Sequence, residues 1–417
     1  MKKSFLFILL IIIIQLSCKE DSISPPPKIN PPGLQQDIHW PTLANSPWPT
    51  NHADMQRTGR SKYVGPQQGL IFAKVKAAQM QTGVVFGNDS VFYYGTSSRN
   101  VDTTQLVAAK IDGTILWSLD LEAFETSTTP LVDDEGTIYI ANGFFRKIFA
   151  VNPDGTVKWT LQTSREVFND GLGIGKDGTI FAIENGSTLD AINRDGTMKW
   201  QFQDNNFLWG SIVNLAFSPD GNTLYIHGGI IGDKEITLVA FDLVTLSIKW
   251  KFGHAFMRNG PLVDSQGNVY VLVADDTLNQ NTANFYCLYP DGSLKWKFPH
   301  SRGYYVDTDP TIDKNGNIYF ATDTLYALDY SGKLRWKLDL GDGVNYCPLV
   351  CDSEGTIYIG TSTDFFNNSI FAVSKEGLIK WSLPIYDERS LGQSPAITKD
   401  GTLVYPTFRS DNLYIIK

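Results

Sequence analysis

The chain has 417 residues, 42% of them hydrophobic and 19% charged, with a net charge of −9. That is ample apolar material for a large core, and an acidic balance without a basic stripe argues against nucleic acid as a partner. Four cysteines make no disulfide framework and no zinc or haem spacing. The five histidines (His39, His52, His227, His254, His300) never cluster in sequence, so no metal site is legible.

Residues 1–17 read as a signal peptide: Lys2 and Lys3, then an apolar run from Phe5 to Ile14 that is too short to span a bilayer. The following Gln15-Leu16-Ser17-Cys18 is similar to a bacterial lipobox, although Gln15 stands where Leu is usual. The resemblance implies that Cys18 is lipidated and becomes the first mature residue, which leaves a net charge of −11. Lys19-Glu20-Asp21 is similar to the export signal of some surface lipoproteins and reads equally well as the start of a solvated tether. Residues 18–40 form a Pro-rich tether, with Pro25, Pro26, Pro27, Pro31 and Pro32. Roughly twenty residues at about 3.1 Å each reach up to about 60 Å from a membrane.

From residue 41 to 417 the chain repeats. Trp117, Trp159, Trp200, Trp250, Trp296, Trp336 and Trp381 recur at intervals of 42, 41, 50, 46, 40 and 45 residues. Five residues before most of them stands an acidic-Gly or polar-Gly pair, such as Asp112-Gly113 or Ser331-Gly332. Upstream of each Trp lies a Pro-Leu-Val-Asp-x-x-Gly-x-Ile-Tyr motif, clearest from Pro130, Pro261, Pro310, Pro348 and Pro395. Its final aromatic falls at Tyr93, Tyr139, Phe181, Tyr225, Tyr270, Tyr319, Tyr358 and Tyr405. Each unit predicts four strands: the Pro-Leu-Val run, Thr-Ile-Tyr-Ile after an Asp-x-x-Gly hairpin turn, a strand like Phe149-Ala150-Val151, and the Trp strand. No helical periodicity occurs. A period in the mid-forties built this way predicts an all-β propeller.

The last unit stops at Lys417 without a Trp strand. The missing strand is Gly69-Leu70-Ile71-Phe72-Ala73-Lys74-Val75, whose opening matches Gly377-Leu378-Ile379, with Ala73 in the Trp slot. The N-terminal strand is therefore expected to complete the C-terminal blade and remove free sheet edges. Eight blades follow, at about 45 residues each over residues 61–417, with seven as the alternative.

These motifs resemble the pyrroloquinoline-quinone (PQQ) repeat family of propellers, over nearly the whole mature chain. Further matching elements are Trp48-Pro49, Asp54, Thr58-Gly59 and Gly65-Pro66. The resemblance implies that the seven Trp residues dock adjacent blades rather than contact a ligand. It also implies two functional branches. Quinoprotein dehydrogenases hold PQQ and calcium on the axis, in the alcohol dehydrogenases beside a vicinal disulfide. This chain has no adjacent Cys pair, and no calcium ligands or catalytic Asp can be assigned. The other branch is noncatalytic, like the propeller lipoprotein of the outer-membrane assembly machine.

The residues thus favour a noncatalytic, membrane-anchored and monomeric scaffold of the bacterial outer membrane, on its periplasmic or surface face. It would take an envelope protein or glycan as partner, with no cofactor and no metal site. A quinone- and calcium-dependent oxidoreductase and a glycan-processing protein are the alternatives. The Asp313–Asn317 turn suggests turn chemistry rather than calcium. Cys287 fills the small-residue slot of Ala150 and Ala327, and Cys347 and Cys351 are expected on one strand, too far apart to bond within it. Any ligand mouth should lie in the loops from each Trp strand to the next Pro-Leu-Val strand. Those loops carry Arg165, Asn169, Asp170, Trp209, Arg258, Asn259, Tyr304, Tyr305, Asp307, Tyr346, Arg389 and Gln393, and Trp209 lies outside the repeated slot.

Overall fold

A computed structural model describes residues 31–417 apart from 78–79, 81, 97–103, 123–127, 144, 186–187, 205–206, 210–213, 231–236, 254–258, 274–281, 302–307, 342, 345–346, 362–367, 387–391 and 408–411. For residues 168–170, 207–209, 227–230, 237, 282 and 301 only the backbone is described. Cys18 and the signal peptide lie outside the described residues.

Eight antiparallel sheets form a closed β-propeller. Blades 1 to 7 span 85–120, 131–162, 167–203, 207–252, 262–301, 311–339 and 350–385. Blade 2 is typical: Leu131–Val132 innermost, then Ile138–Asn142, Lys147–Val151 and, outermost, Val157–Gln162. Blade 4 departs from this, because Phe207–Trp209 and Leu215–Phe217 both pair with Thr223–Ile230. The expected seven-blade alternative is not what forms.

The repeat motif has a packing logic. Across each of blades 1 to 7 an aromatic on the second strand faces a small residue on the third, which faces the Trp on the fourth. Tyr139, Ala150 and Trp159 make one such row, and Tyr270, Cys287 and Trp296 another. The small residue lets the two rings meet over it. Their centroids lie 5.8 Å apart in both rows, within the range where an aromatic pair adds about 0.5–1.5 kcal/mol. The hairpin turn supports the same aromatic. Asp133 Oδ1 accepts the Glu135 and Thr137 amides at 3.0 and 2.8 Å, while Oδ2 accepts the Tyr139 hydroxyl at 2.9 Å. Asp264, Asp313 and Asp352 do the same for Tyr270, Tyr319 and Tyr358. The Asp313 oxygens take four donors, from Asn315, Asn317 (twice) and Tyr319, so this carboxylate does turn work.

Trp117, Trp159, Trp250, Trp296 and Trp336 also reach the following blade. Trp117 Nε1 donates to the Pro153 carbonyl at 2.9 Å, Trp159 to Arg194 at 2.8 Å and Trp336 to Lys375 at 2.8 Å. The indole lies beneath the turn Gly of that blade: a Cβ added to Gly155, Gly196 or Gly377 would come within 2.8 Å of it. These glycines have φ near +87° and leave no space for a side chain, so both demands fall on one residue. Trp381 is buried and the other six are half-buried.

The ring closes as the sequence predicts: Ile71–Lys76 pairs with Asn412–Ile416 as the outer strand of blade 8. The row across this blade is Val404, Ile415 and Ala73. A large–small–large row becomes medium–medium–small, so the missing indole is offset by Ile415 where the other blades carry Ala or Cys. Tyr405 is a correction. Counted from the turn Gly401, the aromatic slot falls on Val404, and Tyr405 pairs with Tyr414 one position on, facing the other side. Cys347 also departs from expectation, lying outside the Val350–Cys351 strand.

The packed unit spans Pro32–Lys417. Residues 33–66 cross one end of the axial channel twice, bonding to inner-strand edges that no blade partner covers. On the first pass the Gln35 amide donates to Lys314 O, Trp40 Nε1 to Ile174 O and the Ala44 amide to Val132 O. On the return, Trp48 O, Pro49 O, Met55 O, Gln56 O, Thr58 O and Gly59 O accept amides of Phe86, Val132, Phe217, Val263, Ile312 and Cys351. Blades 1 to 7 are thereby tied to one strap, which then becomes the closing strand of blade 8.

Candidate functional site: the floor of the axial channel

Residues 50–57 form the floor of the channel at the strapped end. His52, Ala53 and Arg57 have φ of 55°, 74° and 56°, three of the six described non-Gly residues with positive φ. Such a conformation costs roughly 1 kcal/mol or more each and persists only where the surroundings impose it. Here a buried polar cluster imposes it. Arg57 Nη2 donates to Asp309 Oδ2 at 2.6 Å, and the Gly260 amide donates to Asp309 Oδ1 at 2.6 Å. His52 Nε2 stands 3.4 Å from the same carboxylate.

The charges are settled by these contacts. Burial alone would raise the Asp309 carboxyl, but Arg57 above all, then His52 and the Gly260 amide, hold it below its usual value. Burial pushes the His52 imidazole down to about 4, so it is neutral at pH 7 and Arg57 alone balances Asp309. Neither His52 nitrogen has a hydrogen-bond partner, and the same holds for both amide atoms of Asn259, which is 1% exposed. Asp54, also in the floor, accepts the Thr58 amide and hydroxyl at 3.0 and 2.5 Å, and burial raises its carboxyl.

Above the floor a recess is lined by Thr50, Asn51, Asp54, Met55, Arg57, Thr129, Leu172 and Leu215. Its enclosed part offers about 10 Å³ to a water centre, room for about one water. A second buried polar pair sits in blade 3. Glu184 accepts the amides of Ser164 and Arg165 at 3.1 and 2.9 Å and the Ser164 hydroxyl. Asp190, 0% exposed, takes a 2.7 Å bond from Gln201. Burial, then its hydrogen bond to Glu184, pushes Asp190 up to about 7. Through Glu184 this pair holds the loop that leads into blade 3.

Among the predicted mouth residues, Asn259 lies in the floor cluster beside Gly260. Arg165 is exposed and tied through its amide to Glu184, and Gln393 is half-buried. Asn169, Asp170 and Trp209 lie on strands, with Trp209 paired to Gly228, but their side chains are not described. Arg258, Tyr304, Tyr305, Asp307, Tyr346 and Arg389 fall outside the described residues. Sequence reasoning missed His52, Arg57 and Asp309. The only signal was the non-repeating Trp48–Pro66 stretch, which carries Asn51, His52, Asp54 and Arg57 in seven residues.

An eight-bladed ring of Trp-docked sheets closed by its own N-terminal strand is the architecture of a PQQ-repeat propeller. The family model described as outer membrane protein assembly factor BamB matches residues 102–272 and 285–417, and the chain belongs to that family. Among solved structures, BamB from Moraxella catarrhalis superposes with a TM-score of 0.61 at 14% identity, covering 84% of this chain and 99% of that one. The Dos1 propeller gives 0.62 at 12% identity, covering 85% and 95%. Quinohemoprotein alcohol dehydrogenase from Comamonas testosteroni gives 0.64 at 12% identity, covering 91% and 81%. At these identities the likeness is one of fold. No curated protein matches the chain in sequence.

Proposed function

We propose that the protein is a noncatalytic, lipid-anchored propeller that serves as a binding or assembly scaffold at the bacterial outer membrane. Family membership supports an assembly role, and Ser17-Cys18 after an apolar run supports the anchor. The observation that carries the reading is the strapped channel. Residues 33–66 bond to inner strands from blade to blade, and the enclosed part of the recess above them offers room for about one water. The buried Arg57–Asp309 pair holds the strap against the segment around Gly260. A binding role then falls to the loops that lead from each Trp strand to the next inner strand, which carry Trp209, Arg258, Tyr304, Tyr305, Asp307, Tyr346 and Arg389.

Two experiments in cells test this. A photo-crosslinking residue at position 209 or 305 of the full chain is expected to recover an outer-membrane protein, and Cys18→Ser to release the protein from the membrane. A soluble wild-type protein, or mouth positions that crosslink to no protein while the chain oxidises alcohols or cleaves glycans, would overturn the proposal.

A further inference from the structure

The outer strand of blade 8 breaks a rule that most of the other blades keep. The residue just before the Trp slot is Lys158, Lys199, Lys249, Lys295, Arg335 or Lys380 in blades 2 to 7. In four of these the ammonium donates to the Thr that follows the first hairpin turn. The bonds are Lys158 to Thr137 at 3.2 Å, Lys199 to Thr179 at 2.8 Å, Lys249 to Thr223 at 3.2 Å and Lys380 to Thr356 at 3.3 Å. In blade 8 the position is Phe72, and Thr402 Oγ1, the equivalent hydroxyl, is buried without a partner. Phe72 is 55% exposed, Leu70 59% and Ile71 39%.

The departure leaves the Thr402 hydroxyl buried without the ammonium that its counterparts have. It also lengthens the apolar exposure seen at Ile115 and Leu116 in blade 1 and at Leu378 and Ile379 in blade 7 to three side chains in a row. The strand is also the outer edge of its sheet among the described residues. Natural edges are commonly guarded by charge, but here the first half of the strand is apolar. The second half is basic: Lys74, Lys76 and Lys417 are exposed, and Lys417 Nζ sits 4.1 Å from the Phe72 ring centroid. On a chain of net charge −9, a half-apolar, half-basic edge selects for an acidic complement.

We propose that the outer edge of blade 8 docks an extended segment of a partner protein as a fifth strand. Apolar residues of that segment lie on Leu70 and Phe72, and its acidic residues face Lys74 and Lys76. Main-chain bonds to the strand edge supply affinity and the side chains supply selection. Docking at this edge is independent of the loops at the channel mouth and of the anchor.

The test uses the full chain in mild detergent and two fluorescent heptapeptides, Val-Thr-Val-Thr-Glu-Thr-Glu and its reverse, so that either strand direction is sampled. Saturable binding of one peptide is expected, at least tenfold weaker for Phe72→Lys and for Lys74→Glu/Lys76→Glu, and lost when lysine replaces glutamate in the peptide. Phe72→Lys restores the partner of Thr402, so its thermal midpoint should hold or rise, which separates lost docking from lost folding. The proposal fails if neither peptide saturates at millimolar concentration, or if Phe72→Lys binds as wild type. It also fails if sedimentation gives a self-association that Phe72→Lys abolishes, since the occupant is then a second copy.

Discussion

Replacing Asp309 by asparagine removes one charge from the channel floor and little volume. In the native structure that carboxylate takes 2.6 Å bonds from Arg57 Nη2 and from the Gly260 amide. The Asp309→Asn variant would deprive the guanidinium of Arg57, itself 4% exposed, of the carboxylate charge 2.6 Å from its Nη2. Removing one partner of a buried ion pair costs about 3–5 kcal/mol, because the remaining charge stays desolvated. Arg57 and His52 are held at positive φ by this cluster, so the loss should free the strap locally before the blades melt. Two readouts follow. Urea denaturation of residues 32–417, followed by Trp fluorescence, should give an apparent loss of about 3–4 kcal/mol. Hydrogen exchange should quicken first at the amides of Phe217, Val263 and Ile312, which donate to strap carbonyls. The double variant Asp309→Asn/Arg57→Met has no stranded charge and should recover most of the loss, about 2 kcal/mol or more. A single-variant cost below about 1 kcal/mol, or strictly additive costs in the pair, would show that no stranded charge drives the loss.

Further outcomes follow from the same physics. Burial lowers the His52 pKa to about 4, so its neutral form stabilises the fold fully above the unfolded value near 6.5, and that stability is lost as pH falls towards 4. Comparing the pH dependence of urea midpoints, His52→Asn, which tolerates the positive φ, should lack a loss of about 3 kcal/mol over that range. Asp190 has the opposite sign. Raised to about 7, its contribution is full below about 3.8 and disappears as pH rises through 7. Asp190→Asn should therefore flatten a decline of roughly 4 kcal/mol at most between pH 4 and 7 in the same titration. Thermal melts should separate Trp381→Ala, at about 3–5 kcal/mol, from the half-buried Trp117→Ala at roughly half that. In blade 8, Ala73→Trp alone should destabilise by about 1–3 kcal/mol through overpacking against Ile415. Adding Ile415→Ala should recover most of that, as read from a double-mutant cycle.

What the sequence revealed and what it hid divide along the repeat. Blade number and ring closure were legible because every blade repeats one local solution, a ring, a small residue and an indole in a row, joined by turns that need Gly. Even the exception at Ala73 could be read, since its neighbours kept the motif. Tyr405 misled because hydrophobic spelling survives a one-residue slip, whereas the pairing counted from Gly401 does not. The floor was illegible for a different reason. Arg57 meets Asp309 across 252 residues of chain, and nothing local marks either as a partner. The blade 8 edge lies between these cases: Phe72 in a column of Lys and Arg is visible once the repeats are aligned, but the orphaned Thr402 hydroxyl appears only in the fold.

Whether this propeller is a scaffold rather than a quinone enzyme comes down to one titration. The full chain in mild detergent is titrated calorimetrically with pyrroloquinoline quinone and calcium, and a dye-linked alcohol oxidation assay is run beside it. No saturable binding and no turnover are predicted. Saturable binding of the quinone with calcium-dependent dye reduction would contradict the scaffold role.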